Sequence, residues 1–201
     1  MEIKPKFSFV IPCWEQTHLL KCLLQSIVCQ TYDNWEVVLV HDGINLSHKL
    51  ELKEYLTDPR FVYTSTPKRY GFWGHKGRSL GTSFSSGDWV IHSNDDNYFI
   101  PILLEEIVGA INSNPEANFI YWDMVLGKYK NEHSHNKKDY GHFTPKIQHS
   151  YIDWGQFTTK KSVISKYPIQ YEEAAADGTL VENMKHELVP VYIDKVMFIH
   201  N

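Results

Sequence analysis

The sequence has too few cysteines to staple a fold and too little charge imbalance to seek out a charged polymer. Its three cysteines, Cys13, Cys22 and Cys29, are odd in number and form no C-x-x-C pair. That spacing argues against a disulfide framework and a structural zinc site, and for reduced thiols in a cytosolic compartment. Twenty basic against 24 acidic side chains leave a formal net charge of −4, so no global field draws the chain to nucleic acid or to an anionic membrane. No apolar run approaches the roughly 18 residues of a bilayer span. The N-terminal Met1-Glu2-Ile3-Lys4-Pro5-Lys6 has no apolar signal core. A cytoplasmic protein is expected, peripheral to a membrane only through its substrate. Phosphate-loop signatures are also missing, because Gly71-Phe-Trp-Gly-His-Lys-Gly77 fits neither G-x-x-x-x-G-K-[ST] nor G-x-G-x-x-G; it reads as a flexible loop.

What is present is an alternation of short apolar runs and helical periodicities. In 201 residues this is enough for one sizeable core and a single domain. Phe7–Ile11 reads as a buried strand closed by Pro12, and Leu19, Leu20, Leu23, Leu24, Ile27 and Val28 recur at helical spacing, with Thr17 placed as a cap. Glu36–Val40 is a second strand, residues 47–56 a helix, Phe61–Tyr63 a third strand and residues 75–86 a helical crossover. Trp89–His92 is a fourth strand, and Pro101 opens a helix over 102–111. Asn118–Tyr121 is another strand. The pattern predicts an α/β fold: a mainly parallel sheet with helices on both faces. Ligands in such sheets gather at the carboxyl ends of the strands.

After Asp123 the pattern fades. Residues 127–150 read as a mobile loop whose His133, His135 and His142 are solvated rather than metal ligands. Tyr151–Phe157 suggests a strand or turn, 161–166 a short helix, 174–186 a helix and 189–201 a terminal strand.

The most informative stretch is Trp89-Val-Ile-His-Ser-Asn-Asp-Asp-Asn97. Adjacent carboxylates at a strand end repel and lose solvation unless a cation compensates, and hard oxygen ligands suit Mg²⁺ or Mn²⁺. A solvated Asx turn is the plainer alternative for such a tetrapeptide.

Three segments carry a resemblance to a known family: Phe9-Val-Ile-Pro-Cys-Trp-Glu15; Leu23 to Gly43, ending Val-Leu-Val-His-Asp-Gly; and Gly77 to Ile91, running into Asn94-Asp-Asp-Asn97. Together they resemble the inverting nucleotide-sugar transferases of glycosyltransferase family 2, over roughly residues 7–112. The resemblance implies a GT-A (Rossmann-like) fold with a smaller acceptor-side β segment. It implies a nucleotide-sugar-binding half over about 1–112 and an acceptor-binding, catalytic-base half over about 113–201. It also implies transfer from a nucleoside-diphosphate donor, UDP foremost, to a hydroxyl of a glycan or lipid-linked glycan.

On that resemblance Pro12, Cys13 and Trp14 line the nucleotide, with Trp14 either stacking on the base or packing. Asp42 accepts an imide N–H of the base or merely makes a turn with Gly43. Arg78 reaches the diphosphate or is a surface arginine. Asn94 and Asp95 contact the donor, while Asp96 and His200 hold Mn²⁺ or Mg²⁺ unless His200 is a frayed tail. Asp177 is the catalytic base, with Glu172 and Glu173 as rivals, and Asp153 and Trp154 approach the sugar or acceptor. Two positions depart from the family pattern: His41 replaces an acid before Asp42, and Asn94 replaces the leading acid of D-x-D. An inactive nucleotide-sugar-binding module of a larger synthase is therefore the second expectation. A nucleotidyltransferase would carry a glycine-rich, basic N-terminal signature, and Pro12-Cys-Trp-Glu-Gln16 is not one.

Overall fold

The computed structural model describes residues 3–129 and 138–201. The chain runs β1 (Phe7–Cys13), α1 (Thr17–Val28), β2 (Trp35–His41), α2 (Leu46–Glu51), β3 (Phe61–Ser65), α3 (His75–Phe84), β4 (Trp89–His92), β5 (Tyr98–Phe99), α4 (Leu103–Ser113), β6 (Phe119–Tyr129), β7 (Lys138–Phe143), β8 (Phe157–Lys160), α5 (Lys161–Ile164), α6 (Ala176–Met184) and β9 (Pro190–His200). One curled sheet of nine strands has the order β3-β2-β1-β4-β8-β6-β9-β5, with β7 paired to β6. β1 pairs in parallel with β2 and β4, and β2 with β3, so these four strands deliver their carboxyl ends to one edge. The mixed half follows, with β8 antiparallel to both β4 and β6, and β9 parallel to β6.

Strand alternation assigns the two faces. Phe7, Phe9 and Ile11 of β1 with Val37 and Leu39 of β2 join α1 and α4 in one core. Val10, Val38, Val40 and Val90 point the other way, into a second core with α5 and α6. Each fully buried Leu, Ile or Phe side chain contributes about 1.5–3 kcal/mol of burial. α3 lies close against the sheet because it presents glycine there: a Cβ on Gly81 would sit 2.5 Å from a Val10 methyl.

Several boundaries differ from the sequence expectations. The first cap of α1 is Gln16, without a side-chain bond, rather than Thr17. The helix expected over 47–56 is an α-helix only to Glu51, followed by a 3₁₀ turn over Tyr55–Thr57. Pro101 precedes Ile102, the N-cap of α4, rather than opening the helix itself. The largest correction concerns 127–150. β6 continues to Tyr129 and β7 returns alongside it, Met124 opposite Phe143, so the ends of that segment are a sheet ribbon. His142 is fixed by Asp123, its Nε2 lying 2.6 Å from Oδ2. His133 and His135 lie outside the described residues. Among the described residues no helix is long and apolar enough to cross a membrane.

Candidate active site

The edge where β1, β2 and β4 end carries a cleft of about 520 Å³. It is lined by Pro12, Cys13 and Trp14 after β1, Asp42 after β2, Asn94, Asp95 and Asp96 after β4, and the loop residues Arg69 and Gly71–Gly74. Seven of the residues expected from the resemblance thus share one cavity.

Asp95 is held at its wall. The Trp14 backbone amide donates to Asp95 Oδ2 at 3.0 Å. Burial raises the Asp95 pKa to about 6, the Trp14 amide works against that rise, and the neighbouring Asp96 adds to it. A carboxylate this reluctant to ionise alone is relieved by a cation. Cys13 is buried, and desolvation with the nearby Asp95 and Asp42 pushes its thiol well above the usual range; it lines the cleft as an inert small residue.

Asp42 organises the opposite wall. Tyr70 N–H and Gly71 N–H donate to its Oδ1 and Oδ2 at 2.9 and 2.7 Å, and Thr66 Oγ1 lies 3.2 Å from Oδ1. The turn reading and the ligand reading of Asp42 are compatible, since Oδ2 keeps a lone pair for an incoming N–H. His41, behind it, is fully buried, with Nδ1 2.7 Å from the Gly43 carbonyl, its ring lying between those of His48 and Trp14 at 4.5 and 5.3 Å. On the cleft side Trp14 carries the Arg69 guanidinium 4.0 Å from its ring centroid.

The loop between these walls is strained. Gly71, Phe72, Trp73 and Gly74 have φ of 69°, 48°, 52° and 76°, four left-handed residues in succession. For Phe72 and Trp73 this costs on the order of 1–3 kcal/mol each. Gly74 has no alternative, because a Cβ there would lie 2.5 Å from the Pro12 Cβ.

Arg78 is neither on the surface nor in the cleft but beneath it, with no exposure. Nη1 donates to the Trp73 carbonyl at 2.5 Å, and Nη2 donates to the Ser93 carbonyl at 3.3 Å and to Asn94 Oδ1. Its Nε finds no partner among the described residues. Trp154 lies under the guanidinium at 4.9 Å and against His92. At 3% exposure it is a packing residue rather than an open sugar platform. Desolvation lowers the Arg78 pKa to about 10, opposed by Asp153, Asp177 and Asp95, so the side chain stays charged at neutral pH. His75 and His92 beside it are held neutral, burial lowering one to about 4 and the other well below the usual range.

The charges of those three carboxylates thus all act on one buried cation. Asp177 occupies the first turn of α6 and accepts the Gly178 N–H at 2.8 Å. Burial, and then Asp153, raise its pKa to about 6. Of the rival acids, Glu173 is bonded to Thr179 at 2.5 Å and has its pKa lowered by that bond, and Glu172 is exposed. Asp153 caps a 3₁₀ turn through the Gly155 amide and lies 3.6 Å from His200 Nε2. His200 is not frayed: it pairs in register with Leu126, and Asn201 N–H donates to Asn97 Oδ1 at 3.3 Å. Its Nδ1 is buried without a hydrogen-bond partner among the described residues.

Among the described residues no group of three or more His, Cys, Asp or Glu side chains is arranged to hold a metal. Asp95 and Asp96 alone nevertheless fit a divalent ion of the kind that keeps waters and fills its shell with substrate phosphates. His200, expected to join them, instead turns its Nε2 toward Asp153 at 3.6 Å and is not grouped with the two acids. Sequence reasoning missed Arg69 as a cleft residue; it read the segment holding Phe72 and Trp73 as a flexible donor-side loop without singling out the pair, although the two glycines bracketing it signal an unusual backbone.

The family model described as Glycosyl transferase family 2 matches residues 8–168. An uncharacterized glycosyltransferase of Haemophilus influenzae is 28% identical over 114 residues, covering 57% of this chain and 37% of the relative. The Escherichia coli UDP-Glc:alpha-D-GlcNAc-diphosphoundecaprenol beta-1,3-glucosyltransferase WfgD is 22% identical over 119 residues, covering 59% of this chain and 46% of its own. The chain thus spans less than half the length of these two curated relatives. Among solved structures, Staphylococcus aureus TarS 1–349 in complex with UDP-GlcNAc has a TM-score of 0.75 at 14% identity, covering 96% of this chain and 58% of that one. A mannosyltransferase from Pyrobaculum calidifontis in complex with GDP-Man and Mn²⁺ has a TM-score of 0.72 at 11% identity, covering 98% and 57%. These structural likenesses establish the GT-A fold expected from the sequence. With the family model spanning most of its length and the strand-end carboxylates placed on one cleft, the chain belongs to glycosyl transferase family 2.

Proposed function

We propose that the chain is an inverting glycosyltransferase domain that moves a sugar from a nucleoside-diphosphate donor, UDP-linked, to a hydroxyl of a glycan or lipid-linked glycan. The observation that carries this is the cleft that gathers Asp42, Asn94, Asp95 and Asp96 at the strand ends, with Arg78 bonded beneath it to Trp73, Ser93 and Asn94. The charges of Asp153 and of Asp177 on α6 act on the same guanidinium. Residues up to about 112 supply the nucleotide-sugar half and the remainder supplies the acceptor half.

In this reading Asp42 Oδ2 accepts the imide N–H of uracil, Trp14 meets the base and Arg69 meets its phosphates. Asp95 and Asp96 would hold Mn²⁺ or Mg²⁺, with His200 completing the set only if it turns from Asp153. Bound there, such an ion neutralises charge developing on the departing diphosphate. Asp177 takes the acceptor proton as the hydroxyl attacks the anomeric carbon in line, so one base suffices and no covalent intermediate forms. Its raised pKa suits a base working near neutrality. Asp153 adds to the rise that burial gives that pKa and approaches the sugar, and Arg78 positions Trp73 and Asn94 without touching substrate.

The test is UDP release from a panel of UDP-sugars with and without Mn²⁺, comparing the intact protein with Asp177→Asn. Metal-stimulated release that the variant loses supports the reading. Tight UDP binding without release from any UDP-sugar would instead leave an inactive binding module.

A further inference from the structure

The strained loop presents its side chains outward. Trp73 is 61% exposed and Phe72 45%, both at the mouth of the cleft, where the Trp73 ring lies 6.1 Å from that of His75 between centroids and large aromatics in left-handed positions carry a backbone cost. Glycine or asparagine there would relieve the strain. Tyr171, 36% exposed, meets Phe72 edge-on at 5.8 Å between centroids. Lys76 Nζ sits 3.9 Å from the Tyr171 ring, and the exposed Glu172 beside it pushes the Tyr171 hydroxyl pKa up. Three exposed aromatic rings flanked by one amine and one carboxylate thus form a ridge.

The position of the ridge matters as much as its composition. Its loop end is tied to Asp42 through Gly71 N–H and to Arg78 through the Trp73 carbonyl. Its other end leads into α6: His75 Nε2 lies 3.0 Å from the Glu173 carbonyl, four residues before Asp177. The ridge therefore spans from the donor cleft to the element carrying the proposed base. A pyranose ring has an apolar C–H face that stacks on such rings and hydroxyls that bond to Lys and Glu groups.

We infer that Phe72, Trp73 and Tyr171 form the subsite that holds the acceptor saccharide, its pyranose stacked on the Trp73 indole with its attacking hydroxyl directed toward Asp177. This rests on the transferase reading for the word acceptor, while carbohydrate binding by the ridge stands independently of it. The strain fixes the indole at the rim, so the ring is pre-positioned before the saccharide arrives.

Saturation-transfer NMR tests the inference, with methyl β-glucopyranoside, methyl β-galactopyranoside and N,N′-diacetylchitobiose as probes, in the presence of UDP and Mn²⁺. UDP-induced thermal shift is recorded in parallel. The expected result is transfer from protein aromatic protons to the axial C–H protons of at least one probe. Affinity should fall about tenfold in Trp73→Ala and in Tyr171→Ala and be largely restored in Trp73→Phe, with the UDP shift unchanged in Tyr171→Ala, whose side chain lies outside the cleft lining. Tyr171→Ala lies outside the strained loop, so a folding defect peculiar to Trp73→Ala does not mask the outcome. Absence of transfer to every probe, or variants that bind as the parent does, would overturn the inference. So would loss of the UDP shift with saccharide binding intact, which assigns the ridge to the nucleotide. A parent protein that binds saccharide but not UDP would support the ridge and sink the donor reading instead.

Discussion

The Trp14 amide donates to Asp95 Oδ2 at 3.0 Å, so the loop after β1 and the loop after β4 are one rigid wall. The carboxylate thereby has two separable duties, one as an acceptor and one as a charge. Asp95→Asn retains an acceptor oxygen and should fold with little change in melting temperature, yet lose most of the Mn²⁺-dependent part of the UDP thermal shift. Asp95→Ala should lose both. Calorimetric or dye-based melting with UDP, with and without Mn²⁺, separates them.

Asp177 is expected to dominate the pH dependence of turnover. As a base it acts only when unprotonated, so kcat/KM should rise with pH through a limb near 6, the value to which burial and Asp153 raise it. Asp177→Asn should lower kcat by about 10²–10⁴-fold while leaving the UDP thermal shift in place.

The same raised pKa has an opposite consequence for stability. Asp177 titrates near 3.8 when unfolded and near 6 when folded, so between those values the native state binds more protons and stability falls as pH rises. Above about pH 6 the full cost is present, on the order of 1–2 kcal/mol once partial exposure is discounted. Asp177→Asn should therefore melt higher than the parent at pH 8, and the difference should close toward pH 4. Melting curves at the two pH values check it.

Much of this arrangement was legible in the sequence because it depends on short-range pattern. Apolar runs ending in Pro12, His41-Asp42 and Asn94-Asp95-Asp96 specify strands whose ends carry chemistry, and in a parallel sheet those ends share an edge. The one core expected from those runs proved to be two, because β1 and β2 are apolar on both faces and bury each against different helices. The β6–β7 ribbon was missed because its stability comes from pairing across the sheet rather than from its polar, His- and Asn-rich sequence. Arg78 was legible as a charge but not as a buried one, since its burial depends on Trp154, 76 residues later, sliding beneath it. The ridge escaped notice because exposure and left-handed φ are properties of a fold rather than of a dipeptide.

Gly74 is the point where the strained loop touches the sheet. Gly74→Ala places a Cβ 2.5 Å from the Pro12 Cβ at a φ of 76°, two penalties that together should cost roughly 2 kcal/mol or more. The expected outcome is a melting temperature lower by about 4–8 °C and weaker UDP binding. Gly109→Ala, in α4 with open space around it, should be neutral or slightly stabilising and serves as the control.

Arg78→Lys keeps the charge but loses the fork that bonds Trp73, Ser93 and Asn94. It should destabilise by about 1–3 kcal/mol and leave the pH limb near 6. Arg78→Met removes the cation that favours ionisation of Asp177. It should move that limb upward, a change that a purely structural role for the guanidinium would not produce.

The most direct test is a crystal structure with UDP and Mn²⁺ bound. The expected result places uracil between Trp14 and Asp42, and the diphosphate and metal at Asp95 and Asp96. The β-phosphate should then open toward Asp177, close enough for one sugar ring to bridge them. UDP bound away from this cleft, or a β-phosphate facing away from Asp177, would contradict it.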